Sequence, residues 1–426
     1  MTMWSIIGLV VLIAMIALGM PIWLSMTTGS IIILLGLGTS GISVTTQLYS
    51  GVDSLTLMAI PFFLFAGNIM AYGGSAPYIF NFMNSLIGNK RAGIPVATIL
   101  TAMLYAAITG SVAATLAGVT SICLPNMRKA GYSDKFSSGV MCAASTMGVM
   151  IPPSMLMIIY GSLAQQNVGT LFVSGIIPGL LCGVLLIVVA FIKSPKLYEL
   201  GVSFPAETFS LKNKAISFVK ALPAIGMPVI VLGSIYAGVM TPTEAGAMSC
   251  VYGLIVSVFV YRALKKDNMS TIVRSTADST SMVFLMNAGA ALFNIPLARL
   301  GVPQAFAHLI ERTGLSGVAL VIVVVLIFLA LGCFMDSMPI MYLVLPIVLP
   351  ALNQAGINLV YFNVITILCM QIGMITPPFG SGMYLTARFL GVPAKDVIHE
   401  VMPYLIVMIA LVFLLIFCPW ISLCLV

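Results

Sequence analysis

The hydrophobic pattern of this chain is irregular, because glycine and proline interrupt the long apolar runs at intervals. A simple bundle of membrane helices would show regular, uninterrupted runs, whereas these interruptions predict broken helices. The interruptions lie at Ile60-Pro61, Gly73-Gly74, Gly148 to Pro153, Pro339, Pro346, Pro350 and Gly373 to Pro378.

The composition places the chain in a membrane. Of 426 residues, 61% are hydrophobic and 7% are charged, and the mean hydropathy is +1.16. This excludes a soluble enzyme, a nucleic-acid-binding protein and a disordered scaffold. At about 20 residues per span, the apolar residues would fill on the order of a dozen transmembrane helices.

The charges predict the orientation of the chain. The net charge is +7, and the basic residues lie in short connectors. The excess of positive charge therefore indicates how the chain crosses the membrane and does not indicate nucleic-acid binding. Five Lys residues fall between Lys193 and Lys220 and four Lys or Arg between Arg262 and Arg274, so both connectors should face the cytoplasm. Two spans folded at Thr241 to Glu244 would bring them to the same side. Both termini lack positive charge and should face the periplasm, with the N-terminal run kept as the first span.

The eight cysteines are scattered without a CxxC pair, and the chain has only two histidines. This distribution favours neither a zinc site nor a disulfide framework. No cofactor is expected.

Two stretches of the chain resemble each other. Leu124-Pro125 matches Leu349-Pro350, and Gly148 with Pro152-Pro153 matches Gly373 with Pro377-Pro378, in each case at a separation of 225 residues. Gly110-Ser111 and Gly332-Cys333 match at 222. We therefore predict N-terminal scaffold spans over 1–41, a first repeat over 42–192, cytoplasmic loops and a two-span connector over 193–275, and a second repeat over 276–424. The span count alone does not decide whether the repeats are parallel or inverted.

Each repeat contains a double proline inside an apolar segment, at Pro152-Pro153 and Pro377-Pro378. Proline removes an amide donor and disfavours a helical residue before it, so we predict broken helices near 138–163 and 358–390. Carbonyls exposed there suit a small hard cation, and the half-helices that begin at Ser154 and Phe379 suit an anionic group. Plain proline kinks are the alternative.

Upstream of each broken helix lies a short polar or glycine-rich segment, around Gly110-Ser111 and around Gly332 to Ser337. We predict re-entrant hairpins near 104–125 and 328–350, whose second arms end at Pro125 and Pro350 as half-spans. Close packing of small residues is the alternative. Hydroxyls that could add cation ligands stand at Thr109, Ser111, Thr115 and Ser337.

Charged residues within membrane segments are costly, so Asp336 and Arg299 are functional candidates. Asp336 could bind an ion, fix the loop or contact a polar substrate, and Arg299 could pair with a substrate carboxylate or snorkel to the interface. A proton relay needs titratable groups in the membrane, and Asp336 is the one carboxylate of the paired motifs. Sodium needs only carbonyls and hydroxyls, so sodium is favoured.

Taken together, these motifs resemble one family, the large membrane subunit of tripartite ATP-independent periplasmic (TRAP) transporters, over nearly the whole chain. The resemblance rests on the following segments: Ile60 to Phe63 with Gly67-Asn68, Thr109 to Thr115, Leu124-Pro125 with Gly131-Tyr132, Gly148 to Pro153, Thr241 to Ala247, and the Asp336 and Pro377-Pro378 regions. In many relatives the first hairpin reads Ser-Gly-Ser, whereas position 109 is Thr here.

The resemblance implies an all-α polytopic protein of the bacterial inner membrane, with two inverted repeats and an elevator mechanism driven by sodium. It also implies a small four-helix membrane partner, a soluble periplasmic substrate-binding protein and an organic acid substrate. The chain looks closest to sialic-acid transporters, although C4-dicarboxylate and other sugar-acid transporters share the motifs. By position, the implied sodium ligands are Gly110, Ser111, Gly148, Pro152, Cys333, Gly373, Thr376 and Pro377, and the implied substrate-binding residues are Ser111, Thr115, Ser154, Arg299 and Asp336.

Two other classes of function compete with a transporter. A channel also uses re-entrant hairpins, but filters are usually built from short loops of symmetric oligomers. An intramembrane enzyme would need a base for Ser111, and His308 and His399 lie in terminal or interfacial stretches. The chain also lacks a GxxxxGK[ST] loop, so we expect no ATP hydrolysis by that route. Together these points favour a transporter, and we expect no enzyme.

Overall fold

A computed structural model describes residues 3–87, 90, 92–194, 210–314 and 317–426. Regular structure in these ranges is helical, which confirms the predicted all-α polytopic class. Helices are favoured because backbone groups in a bilayer must find partners within the protein. The connector residues 195–209, which carry part of the first predicted basic loop, lie outside the described ranges.

Twenty α-helices follow one another along these parts of the chain. They are α1 (Met3–Ala17), α2 (Ile22–Gly36), α3 (Gly41–Val52), α4 (Ala59–Tyr72), α5 (Ser75–Ile87), α6 (Gly93–Thr109), α7 (Val112–Lys129), α8 (Asp134–Ser145), α9 (Met155–Ala164), α10 (Val168–Lys193), α11 (Leu211–Tyr236), α12 (Pro242–Ile255), α13 (Lys266–Arg299), α14 (Val302–Thr313), α15 (Val318–Gly332), α16 (Ser337–Gln354), α17 (Leu359–Gly373), α18 (Ser381–Leu390), α19 (Ala394–Phe417) and α20 (Trp420–Leu423).

Fewer helices are long enough to cross a membrane than the composition predicts. Among the described residues, six helices are long and apolar enough, or up to seven if the bent pair α4 and α5 counts as one span. Six further apolar helices have only 10–17 residues. Dividing the apolar residues by the length of one span therefore overestimates the number of long helices.

Two hairpins of helices enter the core. In the first, α6 and α7 meet at Gly110-Ser111, and Gly110 takes the left-handed conformation with φ +59°, which favours glycine. A Cβ on Gly118 would lie 2.3 Å from the ring of Tyr105, so the two arms run antiparallel and in close contact. In the second hairpin, α15 and α16 are joined by residues 333–336.

The second arms of both hairpins extend beyond the prolines at which they were predicted to end. Pro125 lies inside α7 and Pro350 lies inside α16, and each helix has 18 residues. A proline removes one helical hydrogen bond, but neighbouring protein can compensate for it inside a membrane bundle. The prediction that these arms stop at Pro125 and Pro350 is therefore wrong.

Two helices are broken beside these hairpins. The first consists of α8, a 3₁₀ turn over Thr146–Val149 and α9, and the second consists of α17 and α18. Each starts at a polar cap, because the side chains of Ser133 and Asn358 accept hydrogen bonds from the first-turn amides. Pro152-Pro153 and Pro377-Pro378 lie in the two breaks, and both of these peptide bonds are cis.

The two broken helices run in opposite directions. The hydroxyl of Tyr160, near the end of α9, donates to the carbonyl of Leu359 at the start of α17, at 2.8 Å. At the other end, a Cβ on Gly139 in α8 would lie 2.6 Å from Cβ of Glu400, near the start of α19 and after the end of α18. The two broken helices are therefore antiparallel, as inverted repeats require.

Outside the hairpins and broken helices, α2, α3, α4 and α13 pack together, and we call this group the frame. α2 and α3 pack on α13, and Leu34, Val44 and Leu292 form a small apolar cluster there. The predicted start of the second repeat, residue 276, falls inside α13. Repeat matching locates similar motifs and does not locate helix ends. The predicted boundary at residue 276 therefore falls within a helix and not between two helices.

The connector contains two adjacent long helices, α11 and α12. The turn between them is closed by a capping box, in which the Thr241 hydroxyl accepts from the amide of Glu244 and the Glu244 carboxylate accepts from the amide of Thr241. α11 is long and apolar enough to cross a membrane, and so is α12 together with the π-helical turn Val256–Val260 that continues it. The turn lies at the segment where the sequence predicts it.

A partly buried ion pair joins α10 to α19. The Lys193 ammonium donates to the Glu400 carboxylate at 2.5 Å and to its backbone carbonyl at 3.2 Å. The side chains are 23% and 13% exposed. The end of α10 and the start of α19 therefore lie on the same side of the molecule.

The close approach of two backbones at Gly332 and Gly373 gives a test of the fold. A Cβ on Gly373 would lie 2.8 Å from Cα of Gly332, so Gly373→Ala should displace the second broken helix from its hairpin. We expect a loss of about 1–3 kcal/mol of stability, seen as a lower melting temperature of the purified protein in detergent.

Gly233→Ala is the matched control, because nothing lies within 4 Å of a Cβ at that position in α11. Alanine should there be neutral or slightly stabilising, since it favours helix over glycine. Equal melting temperatures for Gly373→Ala and Gly233→Ala would contradict the described contact.

Candidate functional site

Several predicted residues of the first repeat meet at the tip of the first hairpin. A Cβ on Gly148 would lie 2.6 Å from the carbonyl oxygen of Ser111 and 2.7 Å from the hydroxyl of Thr115. The hydroxyls of Thr109 and Thr115 are hydrogen-bonded at 2.7 Å. Only glycine at 148 allows this approach, and the result is a buried group of oxygens between the hairpin and the broken helix.

The break after Gly148 closes on the same hairpin tip. A Cβ on Gly110 would lie 2.9 Å from the carbonyl oxygen of Pro153, and the amide of Met155 donates to the carbonyl of Gly110 at 3.5 Å. Pro152, beside Pro153, is buried. Hydroxyl and carbonyl oxygens are the ligands that hard cations prefer.

The second repeat has a comparable contact. The amide of Phe379, after the double proline, donates to the carbonyl of Cys333 at 3.2 Å, and Gly373 lies against Gly332. The Cys333 thiol points elsewhere, to the carbonyl of Leu329 at 3.3 Å. Thus Cys333 offers its carbonyl to this tip and not its sulfur.

Thr376 and Pro377 lie in the second break. The Thr376 hydroxyl donates to the carbonyl of Ile372 at 2.7 Å, and the Thr376 carbonyl accepts from the amide of Gly380 at 3.1 Å. Thr376 and Pro377 are both half-buried. The break is therefore folded tightly on itself next to the tip of the second hairpin.

The two broken helices also contact each other through a pair that sequence inspection missed. The Gln371 amide donates to the hydroxyl of Thr146 at 2.8 Å, and both residues are fully buried. They are 225 residues apart, the same separation as the double prolines, so the repeat itself could have found them. The pair ties the two repeats together beside their breaks.

A cavity of about 430 Å³ lies between the first hairpin, α4 and α13. Ser111 and Thr109 line it from the hairpin, and none of its described lining residues is charged. Its polar lining is otherwise amide and hydroxyl groups. The lining residues are Leu64, Asn68, Ala71, Tyr72, Thr109, Ser111, Ala113, Ala114, Ala117, Gly118, Ser121, Ser275 and Ser279.

Five of the polar lining residues were not singled out as site residues: Asn68, Tyr72, Ser121, Ser275 and Ser279. Ser275 and Ser279 are four residues apart and so lie on one face of α13, which is the signal that could have found them. Asn68 is held in place because its amide donates to the hydroxyl of Thr276 at 2.9 Å.

A shallow groove continues from this cavity along α13. It shares Ser275 and Ser279 with the cavity and is also lined by Arg274 and Asp278. These residues directly follow the second basic connector. The cavity therefore extends from the hairpin tip toward the end of the molecule where that connector lies.

Four of the five predicted substrate residues do not line the cavity. Ser154 is fully buried and donates its hydroxyl to the carbonyl of Val149 at 2.5 Å. Asp336 is exposed at the tip of the second hairpin and accepts from the amide of Ser337 at 2.9 Å. Arg299, at the end of α13, is exposed and donates to the hydroxyl of Thr39 at 2.8 Å. Thr115, the fourth that does not line it, contacts Thr109 of its wall.

The histidines do not support an enzymatic site. The side chains of His308 and His399 are 74% and 75% exposed and contact Glu311 and Glu400. Within the described ranges, no three His, Cys, Asp or Glu residues group to hold a transition metal. The chemistry of the site therefore depends on hydroxyls, amides and backbone carbonyls.

Comparisons with known proteins agree with these features. Residues 9–421 match the family model described as the tripartite ATP-independent periplasmic transporter, DctM component. The chain is 35% identical over 399 residues to the C4-dicarboxylate TRAP transporter large permease protein DctM of Pseudomonas aeruginosa, covering 93% of this chain and 92% of that protein. It is 32% identical to the sialic acid TRAP transporter large permease protein SiaM of Vibrio cholerae, covering 91% of this chain and 90% of that protein.

The fold also has a relative among solved structures. The YdaH transporter of Alcanivorax borkumensis superposes with a TM-score of 0.60 at 13% identity, over 89% of this chain and 87% of that one. This likeness concerns the fold alone. The family match and the full-length permease relatives together show that the chain belongs to the DctM component family, the large permeases of TRAP transporters.

Proposed function

We propose that this chain is the subunit that carries an organic acid into the cell across the inner membrane, driven by sodium. The observation that carries the proposal is the pair of broken helices, each closed by the tip of a hairpin. Unwound backbone inside a membrane is tolerated only where protein or a wet cavity surrounds it, and transporters use such segments to bind ions and substrates.

Sodium is the coupling ion that these two sites favour. Around the first tip the predicted ligands Gly110, Ser111, Gly148 and Pro152 supply carbonyl and hydroxyl oxygens. Cys333, Gly373, Thr376 and Pro377 do so around the second. A proton relay would need titratable groups, and Asp336, the one carboxylate in the motifs, is exposed and caps a helix.

The cavity supports a sugar acid such as sialic acid as the substrate. Its polar lining consists of hydroxyl and amide groups without a charged side chain among the described residues, which suits a polyhydroxylated monocarboxylate. Sodium and the helix dipoles would then offset the single carboxylate charge. A C4-dicarboxylate is the second candidate, because the DctM relative from P. aeruginosa carries that name.

The structure supports an orientation with the cavity open to the cytoplasm. The cavity extends toward Arg274 and the second basic connector, and basic connectors face the cytoplasm. The Lys193–Glu400 pair brings the start of α19 to the end of α10, beside the first basic connector. α19 would then run outward and place the C-terminus in the periplasm, and the N-terminus is proposed to lie there too.

An elevator movement would expose the cavity to the other side. The hairpins, α8, α9, α17 and α18 would move as one body against a frame that includes α4 and α13. The cavity lies between the two bodies, because Ser111 belongs to the hairpin and Ser275 to the frame. Movement of one past the other would therefore carry the bound acid across the bilayer.

The proposed assembly has two further components. The family name describes a tripartite periplasmic transporter, which supports a small four-helix membrane subunit and a soluble periplasmic protein that delivers the acid. Exposed apolar side chains such as Leu222, Val229 and Phe259 face lipid or this small subunit.

Thr376→Ala should raise the sodium concentration needed for half-maximal uptake by about tenfold, because a contact between a hydroxyl and a charged group contributes about 1.5–3 kcal/mol. Uptake is measured at several sodium concentrations in proteoliposomes that contain the complete transporter. Thr366→Ala is the matched control, since its hydroxyl also donates to the carbonyl four residues earlier but lies in the middle of α17. An unchanged sodium dependence in Thr376→Ala would remove Thr376 from the sodium site.

Ser279→Leu should fill part of the cavity and lower the initial rate of uptake at least about tenfold, since overpacking a binding site excludes its ligand. Radiolabelled sialic acid and a radiolabelled C4-dicarboxylate are tested in parallel, and we expect sialic acid to be carried. The control is Ser281→Leu, on the same helix but exposed and outside the cavity lining. Wild-type uptake by Ser279→Leu would show that the acid binds elsewhere, and uptake of the dicarboxylate alone would overturn the choice of substrate.

A further inference from the structure

A second polar cavity, separate from the proposed transport site, lies between α5 and α11. Its volume is about 330 Å³. Amide and hydroxyl side chains from α5 face amide, hydroxyl and ammonium groups from α11. The lining residues are Tyr78, Asn81, Asn84, Ser85, Asn213, Ile216, Ser217 and Lys220.

The charge around this cavity is positive. Lys220 lines it, Lys212 and Lys214 lie near the start of the same helix, and Lys90 follows the end of α5. The sequence contains no Asp or Glu over residues 54–133 or 208–243, so both walls lack carboxylates. Uncompensated lysines around polar groups favour an anionic ligand.

One residue of the cavity lining, Asn84, also has an unsatisfied hydrogen-bond acceptor. The side-chain oxygen of Asn84 is buried and has no hydrogen-bond partner among the described residues. Such an atom is costly unless a donor reaches it. An anionic group alone would not satisfy it, whereas a ligand that also carries a hydroxyl would.

The walls of the cavity are held in place by aromatic contacts. The ring of Tyr78 stacks on that of Tyr261 with centroids 4.4 Å apart, and the Tyr261 hydroxyl donates to the carbonyl of Lys220 at 3.1 Å. Phe82 and Phe218 contact each other with centroids 5.2 Å apart. These contacts fix α5 against α11 at a defined spacing.

The cavity lies where a polar headgroup meets the bilayer. α5 is bent by 69° from α4 and follows the end of α4 that packs against Ser257 and Ala263, beside the second basic connector. Along α11, the lysines give way to the exposed apolar side chains of Val219 and Leu222. A headgroup in the cavity would therefore place its acyl chains on this apolar surface.

We propose that this cavity binds the phosphate and headgroup hydroxyls of an anionic phospholipid, namely phosphatidylglycerol. The phosphate pairs with Lys220, and a glycerol hydroxyl donates to the side-chain oxygen of Asn84. Basic pockets on the cytoplasmic side of membrane helices bind anionic headgroups in this way. Because α5 joins the frame helix α4 to the first hairpin, the lipid occupies the connection between the two.

The experiment is native mass spectrometry of the full chain in detergent, titrated with phosphatidylglycerol, with phosphatidylcholine of the same acyl chains, and with soluble glycerol 3-phosphate. We expect one tight site for phosphatidylglycerol, weaker binding of phosphatidylcholine, and weak binding of the soluble phosphate. Lys220→Gln should weaken the phosphatidylglycerol site about fivefold, the effect of about 1 kcal/mol per lysine near a membrane surface.

Two further variants complete the test. Asn84→Leu should also weaken the site, and its melting temperature checks that it folds; Lys129→Gln, an exposed lysine at the end of α7, should bind as the wild type does. Equal binding of phosphatidylglycerol and phosphatidylcholine, or wild-type affinity in Lys220→Gln, would overturn the site. Equally tight binding of glycerol 3-phosphate would overturn the lipid as its ligand.

Discussion

Backbone amides and carbonyls that leave a helix inside a bilayer must find partners within the protein, and much of this structure follows from that constraint. The double prolines at Pro152-Pro153 and Pro377-Pro378 interrupt two helices where water cannot replace the lost hydrogen bonds. The amide of Met155 then donates to the carbonyl of Gly110, and the amide of Phe379 donates to the carbonyl of Cys333. Each broken helix is thus stabilised by the hairpin that precedes it.

The same constraint explains the glycines at the contacts. Gly148 lies so close to the carbonyl of Ser111, and Gly373 so close to Gly332, that a Cβ at either position would require the backbone to move. Small residues let helices approach closely in membranes, where the hydrophobic effect does not drive association between helices. The close approach concentrates backbone oxygens around each break, and this is the property that a sodium site needs.

Sequence reasoning located the features that a few neighbouring residues determine. The breaks follow from proline chemistry, and the tip at Gly110-Ser111 follows from a glycine with positive φ. The lining of the cavity could not be predicted in the same way, because Asn68, Ser111 and Ser279 come from three distant parts of the chain. Their proximity depends on how α4 and α13 pack around the hairpin, which no local pattern encodes.

The same limit applies to Pro125 and Arg299. Pro125 was expected to end a hairpin arm, but surrounding protein allows α7 to continue through it to Lys129. For Arg299 the sequence left two roles open, pairing with a substrate carboxylate or snorkelling to the interface, and its place at the end of α13 lets it reach Thr39 at the surface. In both cases tertiary packing decided what the local sequence left open.

We propose that a sodium gradient drives the acid inward through this chain. The most direct measurement is uptake of radiolabelled sialic acid into proteoliposomes that contain this chain with its small membrane subunit, in the presence of the periplasmic binding protein. With sodium outside only, we expect accumulation above the external concentration, and no accumulation when potassium replaces sodium. Accumulation that ignores sodium, or that follows an imposed proton gradient instead, would contradict it.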